Sequence, residues 1–274
     1  IKPLVAKRLP AQLINKVTRL QIFGLGESTL QKIIDEKMPG WPEEIELGFR
    51  AGMPLLEIKL TISCYQGLEL EPKWKAKLIG VLGSHILGEV QNQPLSLPEY
   101  VVNELKYQNL TITTAESCTG GLIASMITGI NGASKSFEAG FVTYSNDIKT
   151  ALLNVPERTL SSQGAVSKEV VIAMAQGALI KASADLVIAV SGIAGPDGGS
   201  IDKPVGTVWI AWGSKENLQS QCLLLPFPRK YFQQYVANIS LDLIRRQLLN
   251  LNGVPSYINE RGFSPCTDIE PKHQ

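Results

Sequence analysis

The feature that most restricts how this chain can fold is a run of five apolar residues, Leu186-Val187-Ile188-Ala189-Val190. A strand without alternating polar positions is typical of the middle of a sheet whose two faces are both covered by helices. Strand-like and helix-like segments alternate on either side of this run, from about residue 95 to about residue 251. The sequence therefore predicts an α/β domain with three layers, α/β/α.

The predicted elements of this domain follow from apolar spacing and from the turn residues between the segments. The predicted strands are 111–114, 140–144, 186–191, 207–212 and 219–225. The predicted helices are 98–108, 121–130, 147–153, 167–182 and 229–250. Because the last two strands follow each other without a helix, we expect an antiparallel pair within a five-stranded mixed sheet.

Residues 1–92 predict a separate, small α+β domain. Its predicted strands are 19–23, 45–50 and 55–62, and its predicted helices are 29–36 and 73–90. The polar, proline-containing segment 91–96 predicts a linker to the second domain, 93–252. Residues 253–274 form a carboxy-terminal tail, which we expect to be loosely held from Pro255 onward.

Composition excludes several classes of function. Two domains are natural for 274 residues, and 26 basic against 25 acidic residues give a net charge of +1. That balance offers no electrostatic basis for binding nucleic acid or a membrane surface. The sequence has no apolar run of membrane-spanning length and no signal-peptide pattern, so we expect a cytoplasmic protein. The chain starts at Ile1 without an initiator methionine, as a piece of a longer protein would.

Cysteine and histidine are few and poorly placed for chemistry. The four cysteines (Cys64, Cys118, Cys222 and Cys266) lie far apart and form no C-x-x-C pair. They indicate thiols of a reducing compartment rather than a disulfide framework or a zinc site. The two histidines, His85 in an apolar stretch and His273 in the tail, are not promising general bases. Neither residue type therefore predicts a metal site.

The segment Thr114 to Gly121 joins a predicted strand to a predicted helix and contains Ser117. Ser117 should lie at the carboxyl end of a strand, where open α/β sheets bind their ligands. Gly120 and Gly121 would let a ligand approach the backbone, whose exposed N–H groups favour an anion. The alternative is that Ser117 or Thr119 only caps the helix.

Two further polar segments follow predicted strands. Residues 143–149 end the second strand and open a helix, and residues 191–206 leave the central strand with four glycines between Gly192 and Gly199. Backbone without Cβ atoms suits close approach to a ligand, although a long mobile loop is the alternative. Residues 164–167 form a fourth candidate, in which Ser167 is adequately explained as a helix N-cap.

A serine nucleophile in a chain without a usable histidine needs another base. Lysine can serve if burial or a neighbouring cation lowers its pKa from about 10.4. Lys149 is the best-placed lysine, and Tyr144 just before it could relay a proton. The alternatives are that Lys149 is a solvated helix residue, or that Cys118 is the nucleophile although it lacks a histidine to activate it.

Four motifs in this order resemble the CinA family. They are T-A-E-S-C-T-G-G, G-F-V-T-Y-S-N-D-I-K, G-A-V-S and S-G-I-A-G-P-D-G-G-S-x-x-K-P-V-G-T-V-W, and the resemblance covers about residues 95–250. It implies a nicotinamide mononucleotide amidohydrolase domain that works without a cofactor. It also implies that Ser117 is the nucleophile and that Tyr144 and Lys149 assist it.

The residues around these three positions are our candidates for contacting the substrate, a pyridine mononucleotide. They are Glu116, Thr119, Gly120, Gly121, Ser145, Asn146, Ser191, Gly192, Gly195, Asp197 and Gly198.

Two departures from the family pattern limit what the resemblance implies. Longer members begin with a molybdopterin-binding-like domain that hydrolyses ADP-ribose, which nothing in this chain resembles. Residues 1–90 instead resemble the KH-like linker domain of those members. In the family's late G-D-R-x-x-x-R segment, Arg229 matches the first arginine, but Gln233 stands at the second. A phosphate contact from this segment is therefore in doubt.

Two other functions remain open at this point. One is a catalytically silent nucleotide-binding or regulatory module, in which the glycine loops hold a phosphate. The other is RNA binding through the KH-like domain, which needs a G-x-x-G loop between helices. Gly80-Val81-Leu82-Gly83 has this spacing but lies in an apolar helical stretch, so we do not expect nucleic-acid binding. We expect a homodimer, the commonest state of a soluble enzyme of this size.

Overall fold

The fold is taken from a computed structural model that describes residues 15–52, 55–91, 93–251 and 254–263. The chain divides into two compact units, with the boundary between Leu95 and Ser96. Within the described ranges, no helix combines the length and the apolar character needed to cross a membrane.

In its described residues, the first unit combines an antiparallel sheet with two α-helices. Its elements are β1 (Lys16–Phe23), α1 (Glu27–Lys37), β2 (Ile45–Ala51), β3 (Leu55–Ile62), α2 (Tyr65–Leu82) and β4 (Ile86–Glu89). The strand order is β2-β3-β1-β4. Leu20 and Ile58 of the sheet pack with Leu30 and Ile34 of α1 and with Leu78 of α2. The predicted α+β organisation is confirmed, and the likeness to a KH domain stays a prediction.

The helix predicted over 73–90 is wrong at both ends. The helix begins at Tyr65 and ends at Leu82, where Gly83 has φ +52° in the left-handed region that ends helices. Residues 86–89 then form β4, which pairs with β1. His85, between the two, lies with Nδ1 3.0 Å from the carbonyl oxygen of Phe23, a structural contact rather than a catalytic one.

The second unit has a five-stranded mixed sheet, as predicted. Its elements are α3 (Leu97–Gln108), β5 (Ile112–Glu116), α4 (Leu122–Thr128), β6 (Phe137–Val142), α5 (Asn146–Leu153), α6 (Glu157–Gln163), α7 (Lys168–Ala182), β7 (Leu186–Gly192), β8 (Thr207–Gly213), β9 (Leu218–Leu224), α8 (Arg229–Leu248) and α9 (Ser256–Arg261). The strand order is β6-β5-β7-β8-β9. β5 runs parallel to β6 and β7, and β8 runs antiparallel to both of its neighbours.

The apolar run identified in the sequence is the middle strand, β7. Val187, Ile188 and Val190 are fully buried, and burying such side chains contributes about 1.5–3 kcal/mol each. One face of the sheet packs against α5, α6 and α7, in a cluster that includes Leu153 and Val171. α8 packs against β7 and β8 on the other face, beside α3 and α4. The three-layer architecture is confirmed.

The second strand begins three residues earlier and ends two residues earlier than predicted. β6 spans Phe137–Val142 rather than 140–144, and the N–H of Thr143 donates to the carbonyl oxygen of Glu116 as the chain leaves the sheet. The β-branched and aromatic residues after Gly140 led the prediction too far, because propensity does not report where pairing ends. Helix α6, which begins after Pro156, was also missed.

The tail is not loosely held over its first residues, and that prediction is wrong for 255–263. Helix α9 buries Tyr257, whose hydroxyl donates to Asp242 at 2.8 Å. Gly262 also pairs with Leu223 of β9. Residues 264–274, with Cys266 and His273, lie outside the described residues.

The topology brings the predicted loops to one edge of the sheet. β5, β6 and β7 are mutually parallel, so their carboxyl ends meet there. Ser117 follows β5, Thr143 follows β6, and Ser191 is the last buried residue of β7.

Candidate active site

A cavity of about 220 Å³ opens at the carboxyl ends of these strands. It is lined by predicted site residues from all three loops, namely Ser117, Tyr144, Lys149, Ser191 and Gly192. Three segments separated by up to 75 positions in the sequence therefore share one pocket.

Ser117 sits on a tight turn directly after β5. Its N–H donates to the carbonyl oxygen of Val190, and its own carbonyl oxygen accepts from the N–H of Gly120, both at 3.1 Å. Gly120 and Gly121 have φ of +63° and +94°, a region that side chains other than glycine rarely adopt. The turn therefore needs both glycines.

Glu116, not Ser117, caps the following helix. Its fully buried carboxylate accepts from the Thr119 hydroxyl at 2.7 Å and from the N–H groups of Gly121, Ile123 and Ala124 at 2.8–3.0 Å. An anion at a helix N-terminus is stabilised by the helix dipole. The side-chain polar atoms of Glu116 and Thr119, two of the candidates for contacting the substrate, are thus used inside the fold. The hydroxyl of Ser117 therefore takes no part in capping this helix.

Lys149 lies on the first turns of α5 and points into the protein. Its side chain is 1% exposed, so the alternative of a solvated helix residue is wrong. Nζ lies 3.3 Å from Ser117 Oγ. It donates to the carbonyl oxygens of Thr143 at 2.8 Å and Tyr144 at 3.3 Å.

The surroundings of Lys149 favour a neutral amine. Burial lowers the pKa of Lys149 from its ordinary value, against a smaller opposing effect of Cys118. Among the residues that the structure describes, no carboxylate lies within ion-pair distance of Nζ. A neutral amine has two N–H groups, which the two carbonyl oxygens accept. Its lone pair is then available to the hydroxyl of Ser117.

Cys118 is unsuited to be the nucleophile. It is 4% exposed, and burial raises the pKa of its thiol to about 12. At neutral pH the sulfur is therefore a thiol and not the reactive thiolate.

Tyr144 stands at the mouth of the cavity with its side chain 62% exposed. Its hydroxyl oxygen accepts from Arg229 at 3.0 Å, and the same guanidinium donates to the carbonyl oxygen of Gly195 at 3.0 Å. Lys149 contacts the backbone of Tyr144 rather than its hydroxyl. Arg229 therefore ties the Tyr144 segment to the glycine-rich loop.

The remaining candidates have mixed positions. Ser145 caps α5 by accepting from the N–H of Ile148, and Asn146 is exposed at the start of that helix. The Ser191 hydroxyl, 1% exposed, donates to the carbonyl oxygen of Ala165 at 2.7 Å. Asp197 and Gly198 are exposed farther along the loop and do not line the cavity.

Sequence reasoning missed part of the cavity wall. Ala165, Val166 and Ala194 line it, and Arg229 was considered only for a phosphate contact. Ala165 and Val166 belong to the fourth candidate segment, residues 164–167. As predicted, Ser167 of that segment caps α7, by accepting from the N–H of Val170. Small apolar residues carry no chemical pattern, so only the glycine and serine around them pointed here.

The described residues contain no cluster of three or more histidine, cysteine, aspartate or glutamate side chains that could hold a metal ion.

Comparison with known proteins agrees with this architecture. A sequence profile of the CinA C-terminal domain matches residues 95–248. A CinA-like protein from Colwellia psychrerythraea is 59% identical over 264 residues, covering 96% of this chain and 61% of that protein. The nicotinamide-nucleotide amidohydrolase PncC of Shewanella oneidensis is 38% identical over 247 residues, covering 90% of this chain and 57% of that protein.

Solved structures match the second unit. A CinA-superfamily protein from Klebsiella pneumoniae 700603 aligns with a TM-score of 0.55 at 32% identity, covering 56% of this chain and 96% of that one. The competence/damage-inducible protein CihA from Agrobacterium tumefaciens aligns with a TM-score of 0.54 at 36% identity, covering 58% and 99%.

The chain spans about three-fifths or less of the length of the curated relatives it matches. The profile match covers the segments that contain Ser117 and Lys149. This chain belongs to the CinA family, and residues 95–248 are its CinA C-terminal domain.

Proposed function

We propose that this protein is an amidohydrolase that converts nicotinamide mononucleotide and water to nicotinate mononucleotide and ammonia. The name of its relative PncC supports the substrate class. The observation that carries the proposal is the buried amine of Lys149, 3.3 Å from the hydroxyl of Ser117. A base beside a hydroxyl, without any imidazole, is one of the known ways to activate a serine.

In the first step, Ser117 Oγ attacks the carboxamide carbon of the substrate. A C–O bond forms, the carbonyl electron pair moves to the oxygen, and the Oγ proton passes to Nζ of Lys149. Before this transfer, the positive pyridinium ring of the substrate favours the neutral form of Lys149, and the substrate's phosphate opposes it.

The developing oxyanion needs hydrogen-bond donors. The carbonyl oxygens of Ser117 and Cys118 are held by the Gly120 N–H and by Gln233, respectively. The N–H groups of the two following residues, Cys118 and Thr119, are then the donors we assign to the oxyanion. A preorganised donor of this kind lowers the barrier by about 3–4 kcal/mol.

The tetrahedral intermediate then collapses. The C–N bond breaks, and the nitrogen leaves as ammonia after taking a proton that ultimately comes from Lys149. Because Tyr144 accepts from Arg229 through its oxygen, its own O–H remains free to donate to the departing nitrogen. Tyr144 is thus the residue that we propose to relay the proton to the departing nitrogen. The nicotinoyl group remains as an ester on Ser117.

Water completes the reaction by the reverse relay. Lys149, neutral again, accepts a proton from the water that attacks the ester carbon. The ester C–O bond breaks, Ser117 Oγ recovers a proton, and nicotinate mononucleotide leaves.

The test measures ammonia release by the full chain from nicotinamide mononucleotide, nicotinamide riboside, nicotinamide and NAD. We expect the highest kcat/KM with nicotinamide mononucleotide, and its loss in Ser117→Ala. Ser125→Ala makes the same change at an exposed position of α4 and should keep full activity. Unchanged activity in Ser117→Ala would remove the nucleophile assignment. Calorimetric binding of nicotinamide mononucleotide without ammonia release would favour the silent nucleotide-binding module.

A further inference from the structure

A side chain outside the cavity holds the backbone next to Ser117. Gln233, on the second turn of α8, donates through Nε2 to the carbonyl oxygen of Cys118 at 2.8 Å. The contact is partly buried and joins residues 115 positions apart in the sequence. It connects the long helix α8 to the turn that carries the nucleophile.

Holding that oxygen also fixes the next N–H group. A trans peptide unit is planar, so the carbonyl of Cys118 and the N–H of Thr119 point in opposite directions. A rotation of this unit would have to break the Gln233 contact. The unit before it is held in the same way, because the carbonyl oxygen of Ser117 accepts from the Gly120 N–H at 3.1 Å.

We infer that Gln233 is a positioning residue that aims the Thr119 N–H at the oxyanion formed on the substrate. This inference rests on the proposed serine acyl transfer. Cys118 lines the cavity and Gln233 does not, so Gln233 acts through the Cys118–Thr119 peptide and not on the substrate itself.

The chemistry of glutamine suits this place. Its amide supplies an N–H donor without a charge, so it adds no cation near the buried amine of Lys149. The family motif has arginine at this position, and here a neutral donor makes a contact with the main chain instead. Gln233 therefore has a contact within the protein that does not depend on a substrate phosphate.

The first experiment tests the contact without reference to activity. In ¹³C,¹⁵N-labelled full chain, the carbonyl carbon of Cys118 and the amide nitrogen of Thr119 report the hydrogen bond to their shared peptide. We expect both resonances to move in Gln233→Met, which has similar length but no donor. Gln234→Met makes the same change at the exposed neighbouring position and should leave them in place. Unmoved resonances in Gln233→Met would overturn the inference.

The second experiment tests the consequence. With nicotinamide mononucleotide we expect kcat of Gln233→Met to fall about ten- to a hundred-fold, somewhat less than the loss of a whole oxyanion donor. KM and the pH midpoint of kcat/KM should stay within error, because no charge changes and no substrate contact is lost. Gln233→Arg, which restores a donor, should recover much of the rate. Gln234→Met should match the wild type.

The outcomes separate this inference from the proposed function. An active wild type, an inactive Ser117→Ala and an unchanged kcat in Gln233→Met would overturn only the positioning role. If kcat and the melting temperature of Gln233→Met both fall and Gln233→Arg recovers neither, Gln233 has a merely structural role. That result would also overturn the positioning role. A folded wild type that releases no ammonia would overturn both.

Discussion

Two buried groups of ionisable side chains in the second unit, one around Asp242 and one around Lys149, have opposite surroundings. Asp242 of α8 is fully buried and accepts from Arg245 at 2.6 Å, from Arg246 at 2.7 Å and from Tyr257 at 2.8 Å. Lys149 is equally buried, but it meets two carbonyl oxygens and one hydroxyl.

The difference separates a structural cluster from a reactive one. In the Asp242 cluster, the buried carboxylate pairs with two guanidinium groups, and burial together with that carboxylate raises the pKa of Tyr257, which keeps its proton. Around Lys149 none of the described residues forms an ion pair that would compensate burial, so burial lowers the pKa of the amine and favours its neutral, basic form. Under the proposed mechanism, the catalytic centre is distinguished by an uncompensated buried amine beside a hydroxyl, and not by burial alone.

The most direct test of this comparison is to remove the amine of Lys149. In Lys149→Met we expect kcat for ammonia release to fall about 10⁴-fold or more, as when one member of a nucleophile–base pair is lost. The control Lys181→Met, at an exposed position, should keep the wild-type rate. Steady-state kinetics decide the matter, and a loss below tenfold would contradict the role of Lys149.

The opposite result is expected at the other cluster. Asp242→Asn leaves two buried guanidinium groups without their carboxylate, and breaking such a buried pair lowers the free energy of unfolding by about 3–5 kcal/mol. Urea denaturation measures this change, with the exposed Asp202→Asn as the matched control. The kcat of the remaining folded enzyme should stay within about twofold of wild type. A stable but inactive Asp242→Asn would place this cluster in the catalytic machinery.

A smaller effect is expected where α9 joins the cluster. Tyr257→Phe removes one hydrogen bond to a charged group, which lowers the free energy of unfolding by about 1.5–3 kcal/mol. Thermal denaturation should show the fall, with Tyr107→Phe, at a side chain that is 82% exposed, unchanged. Equal stability of the two variants would show that α9 is held by apolar contacts alone.

The smallest effect concerns pH and stability. Because the pKa of Lys149 is lower in the folded than in the unfolded chain, the unfolded chain binds more protons below pH 10.5, and low pH disfavours folding. That penalty is fully present below the folded-state pKa and fades as pH rises toward the unfolded value. The stability of Lys149→Met relative to wild type should therefore be greatest below the folded-state pKa and decline toward pH 10.5. A constant difference would contradict a lowered pKa.

The sequence predicts those parts of the molecule that depend on local pattern. The apolar run 186–190 of β7 is explained by a central position in the sheet, and the glycines after Ser117 are explained by a tight turn. The structure agrees with both. Element ends were less predictable. Gly83 ends α2 inside an apolar run, and pairing with Glu116 ends the sheet at Val142, which periodicity does not report.

The site was predictable as a set of loops but not as a set of roles. Nothing local distinguishes Lys149 from an exposed helix lysine, because its burial comes from packing against a turn 32 residues away. The sequence predicts that Glu116 contacts the substrate, whereas in the structure its carboxylate caps α4. The Arg229 contacts with Tyr144 and Gly195 join three distant segments and need the fold to be seen.

The most direct test of the account is the protonation state of Lys149 itself. Nuclear magnetic resonance of ¹³C,¹⁵N-lysine-labelled protein, with Lys149→Met used to assign the resonance, follows the side chain from pH 5 to 11. The account predicts a titration midpoint well below that of the exposed lysines. A midpoint at or above theirs would mean a permanently charged ammonium beside Ser117, and it would contradict activation of the serine by a neutral amine.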